Sequence, residues 1–180
     1  LPAATQQLVG DRPVFNFSVT SGDKTISQFG SSVSVTMPYT PKDGEDVDAI
    51  VIYYINAEGL LETVSNCTYD PATGTVSLKT NHFSQYVIGY NKVSFKDVPE
   101  DAWYSKPVGF IAARGITKGT GDNNFSPQAK LTRAECLVMI MRTYGIEPDI
   151  NPKDNFADAG NTYYTGYLAT AKRLGISKGI

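Results

Sequence analysis

Histidine, tryptophan and cysteine are scarce in this 180-residue sequence, which has one, one and two of them respectively. A single imidazole cannot build a histidine-rich metal site, and we find no plausible acid near it to complete a catalytic triad. We therefore predict no metal, no cofactor and no conventional enzymatic activity. Cys67 and Cys136 fall in what we predict to be separate domains, so we expect two buried thiols and no disulfide between them.

Long apolar runs and an excess of one charge are also missing. No apolar run approaches the ~20 residues that a membrane-spanning helix needs. The formal net charge is −2, so we expect neither a membrane nor a nucleic acid as a partner. The chain opens Leu-Pro-Ala-Ala-Thr, without a methionine or a signal peptide, and we interpret it as a mature or excised piece of a longer protein.

The sequence after residue 11 alternates apolar and polar residues, as strands do. We predict about six strands, separated by turn signals such as Ser21-Gly22-Asp23 and Asp70-Pro71-Ala72-Thr73-Gly74. Short strands with no helix between them are typical of an antiparallel sandwich. The pattern thus predicts an N-terminal tail at 1–11 and an all-β sandwich domain at 12–91.

The period changes to a helical one near residue 92. Val108, Ile111 and Ala112 share one face of a first helix, and 164–174 repeats that pattern. A second helix is predicted to begin after Thr132, with Glu135 completing a capping box. The expected fold class is therefore α+β and multidomain, with an antiparallel β-sandwich followed by a helical module.

The helical half is an internal repeat. Phe95-Lys96-Asp97 aligns with Phe156-Ala157-Asp158, and Gly115-Ile116-Thr117-Lys118-Gly119 aligns with Gly175-Ile176-Ser177-Lys178-Gly179. The offset is about 60 residues in both alignments, and matched aromatics and glycines at a fixed period are the signature of a tandem module.

The first copy, FKDVPEDAWY followed by VGFIAARGITKGTGDNNFSPQAKLTRAE, resembles the S-layer homology module of bacterial surface proteins. The resemblance includes its Thr-Arg-Ala-Glu signature at 132–135 and assigns 92–147 to a first module. It assigns 148–180 to a linker and a truncated second module. The second copy ends before any counterpart of Phe125.

The resemblance implies a helical module that usually occurs three times in a pseudo-threefold bundle. It also implies a secreted protein of the cell surface, cell wall or S-layer. Its partner would be a secondary cell-wall polysaccharide, often pyruvylated. The expected function is non-covalent anchoring, with the β-sandwich as a spacer that itself resembles domains preceding such modules.

Six residues are candidate ligand contacts: Arg133, Asp97, Trp103, Gly119, Thr120 and Gly121. A guanidinium matches a ketal carboxylate, and backbone N–H groups freed by glycines bind anions. The aspartate can accept hydrogen bonds from sugar hydroxyls, and the indole can cover an apolar sugar face. Simpler roles stay open: an ion pair for the arginine, a turn cap for the aspartate, the core for the tryptophan and a structural turn for the glycine-rich run.

Two other functions remain as alternatives. The tripeptide His82-Phe83-Ser84 resembles the self-cleavage site of sandwich domains in some animal receptors and death-domain scaffolds. There the histidine would take the serine proton, and the serine oxygen would attack the Phe83 carbonyl and cleave before Ser84. A histidine that packs at a sheet edge without reacting is the simpler interpretation. The second alternative is a protein–protein assembly unit, in which self-association completes the partial repeat.

Overall fold

A computed structural model describes residues 1–179 of the chain. It forms two compact units, Leu1–Phe125 and Ser126–Ile180, called here the N-terminal unit and the C-terminal unit. The helices are α1 (Ala3–Val9), α2 (Ser105–Ala113), α3 (Arg133–Thr143) and α4 (Thr165–Arg173). The strands are β1 (Val14–Asn16), β2 (Val19–Ser21), β3 (Lys24–Ile26), β4 (Gln28–Pro38), β5 (Ile50–Ile55), β6 (Leu61–Val64), β7 (Thr68–Asp70), β8 (Thr75–His82) and β9 (Gln85–Tyr90).

All sheets of the N-terminal unit are antiparallel. One has the order β1-β9-β5-β6, a second has β4-β8-β7, and β2 pairs with β3 in a hairpin. The two predicted turns lie between β2 and β3 and between β7 and β8, where Gly22 and Gly74 adopt positive φ. The α+β class with antiparallel sheets is therefore confirmed.

The larger sheets share one hydrophobic cluster. Val35 and Met37 of β4 and Leu78 of β8 belong to the same cluster as Ile52 of β5 and Ile88 of β9. The alternation along β4 and β8 follows from this, because each strand turns one face to the core and one to solvent. Strand β5 is apolar on both faces, since Ile55 also packs with Val9 of α1.

Helix α1 lies within the predicted N-terminal tail. Its Thr5 is buried and donates a hydrogen bond from Oγ1 to the carbonyl oxygen of Gly59, at 2.8 Å. Pro2 precedes the helix as N-cap without a side-chain cap. The sequence does not predict α1, because the helix has only seven residues and no capping signal. Burial of one of its faces stabilises the helix instead.

Helix α2 belongs to the N-terminal unit, although its sequence begins the first repeat. It packs against the 3₁₀ turn Val47–Ala49, which leads into β5. Compact units and sequence repeats therefore divide the chain differently, and the domain limits 12–91, 92–147 and 148–180 stay predictions.

The C-terminal unit is built on α3 and α4. Val138 and Met141 of α3 pack with Tyr167 and Ala171 of α4, and Arg142 Nε donates to Tyr167 Oη at 3.2 Å. The predicted capping box is confirmed at the start of α3. None of the four helices in residues 1–179 has the length and hydropathy needed to cross a membrane.

The two cysteines are free thiols in different surroundings. Cys67 is buried, and burial raises the pKa of its thiol. Cys136 is exposed, so the prediction of a second buried thiol is wrong. Cys136 lies on α3 away from the buried positions Val138 and Met141, and a thiol is small enough to be tolerated on the solvent side of a helix.

Candidate functional site

A groove of about 700 Å³ lies within the C-terminal unit. It is formed by the first turn of α3, the segment 156–158, the start of α4 and the loop 176–179. Its lining residues are Arg133, Ala134, Leu137, Phe156, Ala157, Asp158, Tyr164, Leu168, Ile176, Ser177, Lys178 and Gly179. The lining thus combines apolar side chains with two cations, one carboxylate and the hydroxyl groups of Tyr164 and Ser177.

Arg133 enters the groove from the first position of α3. Thr132 fixes that position, because its Oγ1 accepts a hydrogen bond from Glu135 N and its N–H donates to Glu135 Oε2 at 2.8 Å. The Thr132 N–H lowers the pKa of Glu135 most, and the Thr132 hydroxyl, which donates to the same Oε2 at 2.7 Å, lowers it further. Within residues 1–179, Arg133 makes no hydrogen bond or ion pair, so the alternative of a structural ion pair is not seen.

Asp158 and Lys178 line the same groove from the second repeat. Among the described residues neither side chain forms a hydrogen bond or an ion pair with the protein. The loop that carries Lys178 is held close to the segment that carries Asp158, since a Cβ on Gly179 would lie 3.1 Å from the Phe156 ring. Gly179 has φ +78°, which favours glycine for the same turn.

The groove suits a ligand that carries both a negative charge and hydroxyl groups. Two cations and the N-terminus of α3 attract an anion, and the guanidinium can bind a carboxylate through two parallel hydrogen bonds. Asp158 can accept hydrogen bonds from hydroxyl groups. Phe156, Tyr164 and Leu168 supply apolar surface for the ring of a sugar.

The four predicted contacts at Asp97, Gly119, Thr120 and Gly121 lie in the N-terminal unit. Asp97 Oδ1 accepts the backbone N–H of Phe125 at 2.8 Å. The glycine-rich run forms a tight turn, in which Thr120 N donates to the Asn124 carbonyl at 2.8 Å. Gly119 has φ +74°, and a Cβ there would meet that carbonyl oxygen and the Phe95 ring. The structural turn is thus present, and Asp97 bonds to the residue that follows this run; ligand contact at these four residues stays a prediction.

Trp103 also lies in the N-terminal unit, and it is 87% exposed. The alternative that placed it in the core is therefore wrong. Its ring stands edge-on to Tyr104, with centroids 5.6 Å apart. The second repeat presents the same arrangement in Tyr163 and Tyr164, whose centroids are 5.2 Å apart, and Tyr163 is 61% exposed.

Comparison with known proteins gives the family. The S-layer homology domain matches residues 94–136. S-layer protein sap of Bacillus anthracis is 33% identical over 86 residues, which cover 48% of this chain and 11% of that protein. The surface-layer 125 kDa protein of Lysinibacillus sphaericus is 33% identical over 89 residues, 48% of this chain and 8% of that protein. The chain contains an S-layer homology domain.

A longer similarity includes the β-rich region. An amylopullulanase of Thermoanaerobacterium thermosulfurigenes is 27% identical over 162 residues, which cover 87% of this chain and 9% of that enzyme. No solved structure shows a significant match. This S-layer homology domain protein spans about a tenth of the length of these relatives. The domain and the S-layer relatives indicate a secreted protein of the cell surface or S-layer.

Asp158 and Lys178 are groove residues that sequence reasoning missed. Both occupy positions of the second repeat that match Asp97 and Lys118 of the first. The internal alignment was the signal that identifies them. The predicted contacts all come from the first copy, because only that copy of this S-layer homology domain protein carries the Thr-Arg-Ala-Glu signature.

The tripeptide His82-Phe83-Ser84 lies at the junction of β8 and β9. Nδ1 of His82 lies 3.3 Å from Thr80 Oγ1, whereas its buried Nε2 has no hydrogen-bond partner among the described residues. No hydrogen bond in that part of the chain joins His82 to the Ser84 hydroxyl, and Phe17 N donates to the Ser84 carbonyl oxygen at 3.2 Å. Self-cleavage thus stays a prediction without the contact it needs.

The side chains that could ligate a metal are dispersed over residues 1–179 of this S-layer homology domain protein. No group of three or more histidine, cysteine, aspartate or glutamate side chains lies close enough together there to hold a metal ion.

Proposed function

We propose that the chain anchors a secreted surface protein non-covalently to an anionic secondary cell-wall polysaccharide, through the groove of the C-terminal unit. The observation that carries the proposal is the set of uncommitted charges: Arg133, Asp158 and Lys178 line one groove and make no ion pair with the protein. Charged side chains without protein partners in a concave site are typical of a ligand site.

The chemistry of the ligand follows from the geometry of these groups. A pyruvate ketal on a sugar carries one carboxylate, which a guanidinium recognises through two parallel hydrogen bonds better than an ammonium does. Lys178 provides a second positive charge, and Asp158 selects for hydroxyls beside the carboxylate. We therefore favour a pyruvylated polysaccharide over a neutral one.

The β-rich region is proposed to be a β-sandwich that separates the anchor from the rest of the surface protein. Its support is the hydrophobic cluster shared by the two larger sheets. The similarity to the amylopullulanase extends over this region, so the pairing of the two parts recurs in a longer chain. Self-association through the second repeat stays a prediction.

Co-sedimentation with purified cell-wall sacculi tests the anchor. We expect the chain to pellet with intact sacculi and to stay in solution after acid extraction of the secondary polymer. Arg133→Gln should weaken binding by about 10- to 100-fold, because a charge-assisted hydrogen-bonded pair contributes about 1.5–3 kcal/mol. The matched control is Arg173→Gln, an exposed arginine of α4 that does not line the groove.

Three results would count against the proposal. Binding that survives extraction would assign the ligand to peptidoglycan instead. Equal binding by Arg133→Gln and the parent chain would move the site away from the groove. No binding to intact sacculi would show that this part of the protein does not anchor alone.

A further inference from the structure

Arg114 connects α2 to the β-rich part of the N-terminal unit. Arg114 is 2% exposed, and its guanidinium donates to four backbone carbonyls: one is Phe110 O of α2 itself, at 3.1 Å, and three lie in the β-rich region. Nε donates to Cys67 O at 2.7 Å, Nη1 to Asp48 O at 2.8 Å and Nη2 to Ile50 O at 3.0 Å. These acceptors belong to the 3₁₀ turn, to the first residue of β5 and to the segment before β7. One side chain therefore joins three separate parts of the β-rich region to the end of a helix.

The charge of Arg114 is satisfied without a carboxylate. No ion pair involves it among the described residues, while its guanidinium carbon lies 3.5 Å from the centroid of the Phe110 ring. Burying an unpaired charge is costly unless most of its N–H groups find acceptors. The backbone carbonyls accept the N–H groups of Arg114, and the Phe110 ring packs against its guanidinium. The surroundings of Arg114 therefore fit an arginine side chain.

The end of α2 is also held by its backbone. Asn91 Nδ2 donates to Ala113 O at 2.7 Å, and Asn91 N donates to Ala49 O at 2.8 Å. Ala113 is fully buried and belongs to the same hydrophobic cluster as the β strands. The last turn of α2 is therefore part of the β core.

The second repeat provides an internal comparison. By the alignment of the two glycine motifs, Ala113 corresponds to Arg173 and Arg114 corresponds to Leu174. Arg173 is exposed, and Leu174 is 51% exposed. Helix α4 instead packs against α3, through residues such as Tyr167. The first repeat thus carries, at these two positions, residues suited to a β-rich neighbour.

We propose that the β-rich region is a fixed structural neighbour of α2, the first helix of the S-layer homology domain, which Arg114 positions on it, and not a freely hinged spacer. The β-rich region covers one face of α2, as α3 covers one face of α4. The inference is independent of which polymer the groove binds.

Hydrogen exchange of the full chain tests this coupling. In Arg114→Met we expect the amides of α2 and those of β5 to exchange faster together, by about tenfold or more, because three buried carbonyls lose their donors. The amides of α4 should keep their protection. The matched control is Arg173→Met, which removes an exposed arginine near the end of the equivalent helix and should leave every element unchanged.

Faster exchange in α2 alone, or no change in either element, would overturn the proposal. If Arg114→Met does not fold, the parent chain still decides the question under native conditions with low denaturant. There α2 and β5 should exchange through one common opening with the same denaturant dependence. Opening of α2 while β5 stays protected would show that the region is a separate spacer.

Discussion

Two arginines of the N-terminal unit, the buried Arg114 and the half-buried Arg12, are satisfied by different chemistry. Arg114 uses backbone carbonyls, whereas Arg12 uses a carboxylate: its Nη2 donates to Glu45 Oε1 at 2.6 Å. Glu45 Oε2 accepts from Tyr39 Oη at 2.7 Å and from Lys42 N at 3.0 Å. The Glu45 side chain is only 7% exposed, so its charge depends on these donors.

The Glu45 cluster predicts a pH-dependent stability. Burial alone raises the pKa of Glu45, but the hydrogen bonds from Tyr39, Arg12 and Lys42 outweigh it and the pKa lies below its ordinary 4.5. The carboxylate therefore stabilises the fold above about pH 4.5, and this contribution is lost as the pH falls through the lowered pKa. We expect Glu45→Gln to cost about 2 kcal/mol of unfolding free energy at pH 7.

Urea unfolding at pH 7 and near pH 3 measures that difference. The deficit of Glu45→Gln should shrink at the lower pH, because a larger fraction of the parent carboxyl is protonated there than at pH 7. Glu62→Gln is the matched control, since Glu62 is exposed and accepts one hydrogen bond, from Asn56. An equal deficit for Glu45→Gln at both pH values would mean that shape, and not charge, explains the effect.

At the scale of elements, the strongest local signals were the most reliable. The capping box predicted the start of α3, and the glycine turns placed the ends of β2 and β7. Strands β3 and β7 have only three residues each and helix α1 has seven, too few for a period to appear. The docking of α2 on the β core also escaped prediction, because it depends on Arg114 meeting carbonyls far away in sequence.

The groove was only partly predictable for the same reason. Arg133 follows from a local motif, and the structure places it in the groove. Asp158 and Lys178 reach that groove from the second repeat, by tertiary packing of loops on either side of α4. A motif within one repeat cannot identify groove residues that come from the other repeat. The internal alignment does identify Asp158 and Lys178 as candidates, because they match Asp97 and Lys118.

The capping box predicts a measurable contribution of Thr132 to the C-terminal unit. Thr132→Ala removes the acceptor of Glu135 N and should lower the unfolding free energy by about 1 kcal/mol. Thr143→Ala is the control, because Thr143 is exposed near the other end of α3 and bonds back to Met139 O. Alanine there should be neutral or slightly stabilising. Equal losses in urea unfolding would show that the cap contributes nothing specific.

At the scale of the whole molecule, the net charge opposes binding to an anionic polymer, whereas the local cations of the groove favour it. The chain has a formal net charge of −2, so at neutral pH it is weakly repelled by an anionic polymer at long range. Attraction must then come from Arg133 and Lys178 in the groove. Local charges act within roughly one Debye length, which is about 10 Å at 0.1 M salt.

This local attraction predicts how wall binding depends on salt. Affinity for sacculi should fall severalfold between about 0.05 M and 0.5 M NaCl, because screening weakens exposed ion pairs. Lys178→Gln should weaken binding at low salt and reduce the salt dependence, since one of two attracting charges is gone. Lys24→Gln, at an exposed site in the β2–β3 hairpin, should change neither. If Lys24→Gln weakens binding as much as Lys178→Gln does, attraction is spread over the surface and the groove is not its source.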